Sequence, residues 1–137
     1  MPALSSYDYA LVRVVPRVER GEFINAGVIL FCRTHRFLAA RIELDRERLA
    51  ALAPNLDPAL VEPQLTAISI IAAGGSAGGP IGQLTQSERF HWLVAPRSTI
   101  IETSPVHCGL CSDPAATLEH LMATLVRLPL AEGRTPL

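Results

Sequence analysis

The stretch RVVPRVERGEFIN sets five ionic side chains and one amide between two apolar runs: Arg13, Arg17, Glu19, Arg20, Glu22 and Asn25. A guanidinium is a rigid fork of donors that matches a carboxylate or a phosphate. These six residues are therefore candidates for a ligand- or partner-binding loop. The plainer alternative is a connection between two strands. A second polar set lies far along the chain: Arg89, His91, Arg97, Ser98, Thr99 and His107. Arg97-Ser98-Thr99 offers one guanidinium and two hydroxyls to an anion, or else a surface pair and two loop caps. His91 and His107 are the candidate catalytic bases, provided a proton donor lies within reach. Ser98 or Ser104 would then be the nucleophile, but no GxSxG elbow is present.

Cysteine adds little. His107-Cys108-Gly109-Leu110-Cys111 has the spacing of half a zinc knuckle, so Cys108, Cys111 and His107 are weak metal candidates. A structural zinc needs four ligands. Only His91, His35 or Cys32 could complete the set, and each is distant in sequence. A redox pair would sit at a helix N-terminus, and here the next helix begins only after Asp113. Cys32 lies in an apolar run and reads as a small core residue. No metal and no cofactor is expected.

These side chains must be positioned by an α+β fold. Tyr7–Val15 alternates with both faces apolar, the pattern of a buried strand. Arg13 interrupts it, and an unpaired buried guanidinium is costly, so an ion pair with Glu22 or Glu102 is expected. Phe23–Cys32 and Phe37–Leu44 form a hairpin around the polar break Arg33-Thr34-His35-Arg36. Asp45 caps a short helix over Arg46–Ala53. Asp57-Pro58 opens a second helix running to Ala73, which Pro63 should kink or shorten. The glycine-rich run 74–80 reads as a flexible loop. Thr85-Gln86-Ser87-Glu88 is a capping box for the helix carrying Arg89 and His91. Ser98–Thr103 is a strand candidate, and Asp113-Pro114 starts a last helix with Leu118, Leu121, Met122, Leu125 and Val126 on one face. Strands first and helices later predict a small antiparallel sheet of about four strands, covered on one face by helices.

Composition narrows the function classes. The chain has 137 residues, 49% hydrophobic and 18% charged, which suits one domain with a core over about residues 7–127 and a frayed tail over about 129–137. Net charge is −1, so no global field draws it to nucleic acid or membrane. All twelve basic residues are arginine, which excludes a lysine Schiff base or a P-loop lysine. Residues 13–48 carry +3 and residues 55–137 carry −3, the pattern of an anion-facing half or of a mixed surface. No apolar run is long enough to span a membrane and no secretory leader is read, so a cytoplasmic location is expected. Nucleic-acid binding is not expected, because no aromatic platform accompanies the arginines.

Several segments together resemble a small bacterial family catalogued as domain of unknown function 3037. They are Tyr7–Val28, Glu88–Leu93, Ala95–Thr99, Ser104–His107, Gly109–Cys111 and Asp113-Pro114. The resemblance spans about residues 7–127. It implies no established activity. The family's genes often neighbour that of a HipA-like kinase, which implies an accessory or antitoxin-like protein with a kinase-like partner. Its polar signature falls on Arg13, Arg17, Glu19, Arg20, Glu22, Asn25, Arg89, His91, Arg97, Ser98, Thr99 and His107. With no complete catalytic set, the expected function is a non-catalytic interaction module. The alternative is an enzyme or ligand-binding protein for a phosphorylated or other anionic substrate. In it, Arg17, Arg20, Arg89 and Arg97 clamp the anion and His91 or His107 acts as base. That alternative requires these side chains to line one pocket.

Overall fold

The structure, a computed structural model, describes residues 3–128. The tail expected over 129–137 lies outside the described residues. The central strand is β1, Ser5–Val14. Its alternation sends Ala10, Val12 and Val14 to full burial on one face and Tyr7, Tyr9 and Leu11 to the other. β2 (Ile24–Cys32) and β3 (Phe37–Ile42) follow as a hairpin. The Arg36 N–H closes its turn on the Arg33 carbonyl at 3.0 Å. β3 stops two residues before the expected Leu44.

The sheet is antiparallel, in the order β3-β2-β1, and two short strands share the far edge of β1. β4 (Ile101–Thr103) pairs with its C-terminal end and β5 (His107–Cys111) with its N-terminal half. The expected strand from Ser98 thus begins only at Ile101. β5 was not read from the sequence, because Gly109 and its exposed neighbours break any apolar alternation.

Two bulges shape β1. Tyr9 pairs with His107 and Val12 with Thr103, so Ser104, Pro105 and Val106 stand opposite only Ala10 and Leu11. Ser104 mends the gap. Its Oγ accepts from the Leu11 N–H at 2.8 Å, its N–H donates to the Leu11 carbonyl at 2.9 Å, and its hydroxyl donates to Pro105. Being buried, it must be satisfied in this way. On the other side, Val12 pairs with Gly27 but Arg13 with Asn25, which leaves Ala26 extra. Bulges raise local twist and re-aim side chains.

Helices cover the sheet as the α+β reading requires. Four helix starts have the expected caps. Asp45 accepts from Arg48 N–H before α1 (Arg46–Leu52), and Asp57 from Ala59 N–H before α2 (Pro58–Ala73). After a short helical turn, α3 (Gly79–Gly82), the reciprocal Thr85–Glu88 box opens α4 (Gln86–Leu93), and Asp113 caps α5 (Pro114–Leu121). Pro63 does not shorten α2; it sits exposed within a helix of 16 residues. The glycine-rich run is not an open loop either. It forms a tight turn at Ser76–Gly78 and then α3, tied by the Gly75 N–H to the Gly82 carbonyl at 2.8 Å.

The helical cover extends to both faces of the sheet, one more than the element order suggested. Ile29 and Phe31 meet Leu49, Val61, Leu65, Phe90 and Leu93 from α1, α2 and α4. Val28, Leu30 and Cys32 meet Leu118 and Leu121 of α5 and the π-helical turn Met122–Val126. The reason is in β2, whose last seven residues, Ala26–Cys32, are all buried. A strand apolar on both parities needs a layer on each side. No helix among the described residues is long and apolar enough to cross a membrane.

Candidate functional site

The connection from β1 to β2 folds against itself. Pro16 ends the strand, and a 3-10 turn covers Val18–Arg20. Gly21 closes it at φ 70°, a left-handed position that favours glycine, with its N–H on the Val18 carbonyl. Arg17 pairs with Glu19 at 3.5 Å. Arg20 grips Glu22 with two bonds, 2.6 and 3.1 Å. That hydrogen-bonded guanidinium holds the Glu22 carboxyl below its ordinary value. The loop is therefore charged but locally neutral. It also exposes two apolar side chains, Val18 and Phe23, each 42% accessible.

Arg17, Arg20 and Glu22 line an open groove of about 610 Å³ against residues 51–56, the end of α1 and the start of the next connection. A helix C-terminus is the negative end of its dipole. With both arginines already paired, the groove concentrates no positive field for a phosphate. Its chemistry suits a mixed polar and apolar surface.

Arg13 behaves differently. Its guanidinium carbon lies 4.1 Å from the centroid of the Phe23 ring, a cation–π stack. It stands between Asn25 on β2 and Glu102 on β4. No ion pair forms with Glu22 or Glu102 among the described residues, which corrects the expectation. Glu22 is held by Arg20, its near neighbour in the chain. Glu102 faces Arg13 in register across the sheet, while the Arg13 guanidinium lies on the Phe23 ring. Its Nε is buried without a hydrogen-bond partner, and so is Oδ1 of Asn25. The Asn25 amide instead donates to the Leu125 carbonyl at 3.1 Å, fixing the end of the π-helical turn.

The second polar set does not join this region. Arg89 is 8% exposed; it donates to the Leu84 carbonyl at 2.6 Å and to the Ala72 carbonyl at 3.4 Å. It thus satisfies a carbonyl that the end of α2 leaves free. The guanidinium lies on Gly74, where a Cβ would come within 3.0 Å, and Gly74 itself has φ 82°. Arg97 donates to the Trp92 carbonyl at 2.7 Å and stacks on that indole at 4.6 Å, closing α4. His91 is exposed, with Nδ1 2.7 Å from the Ser87 carbonyl one turn back. Thr99 donates to the Ile101 carbonyl, and Ser98 is exposed. His107 is exposed on β5 with its ring 5.4 Å from that of Tyr9. None of Arg89, Arg97, His91 or His107 lines the groove of Arg17 and Arg20.

The cysteines occupy a strand, not a knuckle. Cys108 and Cys111 are three residues apart on β5, so their side chains leave opposite faces. Cys108 is exposed, whereas Cys111 is buried in the core that holds Cys32. Burial pushes the Cys111 thiol up. No group of three or more His, Cys, Asp or Glu among the described residues is placed to hold a metal.

Some polar residues escaped sequence reasoning. Arg127 joins Glu43 at 2.9 Å and also Glu119, which Arg41 meets at 2.8 Å. Arg48 donates to the Val126 carbonyl at 3.1 Å. Together they strap the helical layer of α5 to β3 and α1. No local pattern announces them, since the partners are up to 84 residues apart.

The comparisons fit this picture of a defined fold without declared chemistry. A family model described as "Protein of unknown function (DUF3037)" matches residues 9–126. The chain belongs to that family. The match runs from within β1 to the end of the π-helical turn, so it includes both polar sets and all of β2 to β5. No curated protein matches this member of the family, and no solved structure does.

Proposed function

We propose that this protein is a non-catalytic interaction module that binds a protein partner through the β1–β2 connection. One observation carries the reading. The arginines and histidines that an enzyme of this sequence would use are held apart: Arg89 and Arg97 at two helix ends, His91 and His107 exposed on α4 and β5. What remains accessible is a locally neutral charged loop with Val18 and Phe23 exposed beside an open groove. Exposed aromatic and arginine side chains within a polar rim are the composition of protein contacts.

The partner class comes from the family resemblance: a kinase-like protein encoded nearby, with this chain in an accessory or antitoxin-like role. The competing reading, a site for a phosphorylated or other small anion, has two arginines in the groove, each already paired with a carboxylate. Co-expression with the neighbouring kinase-like protein tests the proposal. The two chains should co-purify, and Val18→Asp with Phe23→Asp should abolish co-purification while leaving the melting temperature within the usual range for surface changes. A wild-type chain that elutes alone, or a double variant that still co-purifies, would overturn it.

A further inference from the structure

Eight arginines other than Arg13 have an oxygen partner, while Arg33 lies exposed over the Phe31 ring at 5.4 Å and Arg36 is exposed. Arg17, Arg20, Arg41, Arg46 and Arg127 hold carboxylates, and Arg48, Arg89 and Arg97 hold backbone carbonyls. Arg13 has none among the described residues, although it is half-buried in the middle of the sheet. Its stem is fixed by β1, its plane by the Phe23 ring at 4.1 Å, and its Nε is buried without a partner. A guanidinium locked in one orientation loses little further freedom on accepting a ligand.

We propose that Arg13 is a receptor for one carboxylate, an acidic side chain of the protein partner. The inference rests on the interaction-module reading and names the contact at its centre. Charge complementarity selects the ligand. The guanidinium is unpaired, so an anion is required. Glu102 stands in the facing position on β4, and Glu22 is nearby in sequence but held by Arg20. Beside one free cation and one free carboxylate, a singly charged carboxylate is tolerated and a doubly charged phosphate is not. The exposed Phe23 ring supplies the apolar rim that excludes water from the pair.

The test uses the full chain and two simple probes. Arginine side-chain NMR follows the Nε–H signal of Arg13, and ring-proton shifts follow Phe23, as sodium acetate and then inorganic phosphate are added at equal ionic strength. Acetate should give a saturable shift at Arg13 and Phe23, larger than at the exposed Arg33 and Arg36. Glu102→Gln should enlarge the response, and Arg13→Lys should weaken the Phe23 response about tenfold, equivalent to ~1.4 kcal/mol. No saturable shift, a shift matched at Arg33 and Arg36, or a stronger response to phosphate would overturn the proposal. Co-purification separates it from the broader reading. A complex that persists with Arg13→Met overturns the carboxylate contact and keeps the module. A wild-type chain that binds acetate at Arg13 yet finds no partner keeps the anion site and overturns the module.

Discussion

Arg89 and Arg13 both carry a guanidinium into the protein, one at the junction of α2 and α4 and one on the central strand. Arg89 meets two backbone carbonyls, at Leu84 and Ala72, and its plane rests on Gly74. Arg13 meets an aromatic face and has no oxygen partner among the described residues, although the buried Nε of both guanidinium groups is unmatched. The difference teaches how to separate a structural arginine from an available one. A fold that needs a buried charge surrounds it with acceptors. At Arg13 the fold supplies orientation and no acceptor. The same contrast holds for the surroundings. Arg89 lies inside the layer that packs on Ile29 and Phe31, whereas Arg13 lies beside a loop whose charges cancel and whose apolar residues face solvent.

The largest effect should come from removing the arginine that holds two backbone carbonyls. Arg89→Met should lower unfolding free energy by about 2–4 kcal/mol, because the buried Ala72 carbonyl at the end of α2 and the Leu84 carbonyl both lose their donor. Urea denaturation measures it, and a loss below about 0.5 kcal/mol would erase the contrast. An intermediate effect is expected at Ser104, a buried polar group whose bonds are met. Ser104→Ala removes the acceptor of the Leu11 N–H across the bulge and should cost about 1–2 kcal/mol. Hydrogen exchange at Leu11 should then quicken more than exchange at Tyr9.

The smallest effect concerns the exposed pairs. Glu22 and Glu119 are held below their ordinary values by hydrogen bonds from Arg20 and Arg127. A carboxyl lowered in the folded state stabilises above its unfolded value. That contribution disappears as pH falls through the lower folded value. Stability should therefore decline slightly below about pH 4.3, the unfolded carboxyl value. The decline should be small, since both pairs are open to water and salt. Carboxyl NMR titration checks it directly. A Glu22 value at or above the ordinary one would mean that the loop does not neutralise itself, and that Arg20 joins Arg13 as an available cation.

Much of the architecture was legible because its signals are local. Asp45, Asp57, Thr85–Glu88 and Asp113 cap their helices within three residues, and those bonds follow from adjacent side chains. The alternation of β1 and the apolar continuity of β2 placed the centre of the sheet. What was not legible depends on distant partners. β5 exists because Ser5–Tyr9 offers it an edge, not because HCGLC favours a strand. The second helical layer follows from β2 being buried on both parities, which element order does not report. The polar residues were harder still. Arg13 interrupts an apolar strand, but of its two expected partners Glu22 is held by Arg20, two residues away, and Glu102 makes no ion pair with it among the described residues. Arg89 reads as a ligand residue in the sequence, and its carbonyl partner at the end of α2 lies 17 residues upstream.

The central claim is that the fold depends on Arg89 and leaves Arg13 free for a partner. Paired urea-unfolding curves of Arg89→Met and Arg13→Met against wild type test it most directly. Methionine keeps most of the aliphatic packing at each position, and at position 13 its sulfur can still face the Phe23 ring. The account predicts a loss of about 2–4 kcal/mol for Arg89→Met and a change within about 0.5 kcal/mol for Arg13→Met. An Arg13→Met protein destabilised as much as Arg89→Met would contradict it and make Arg13 part of the core.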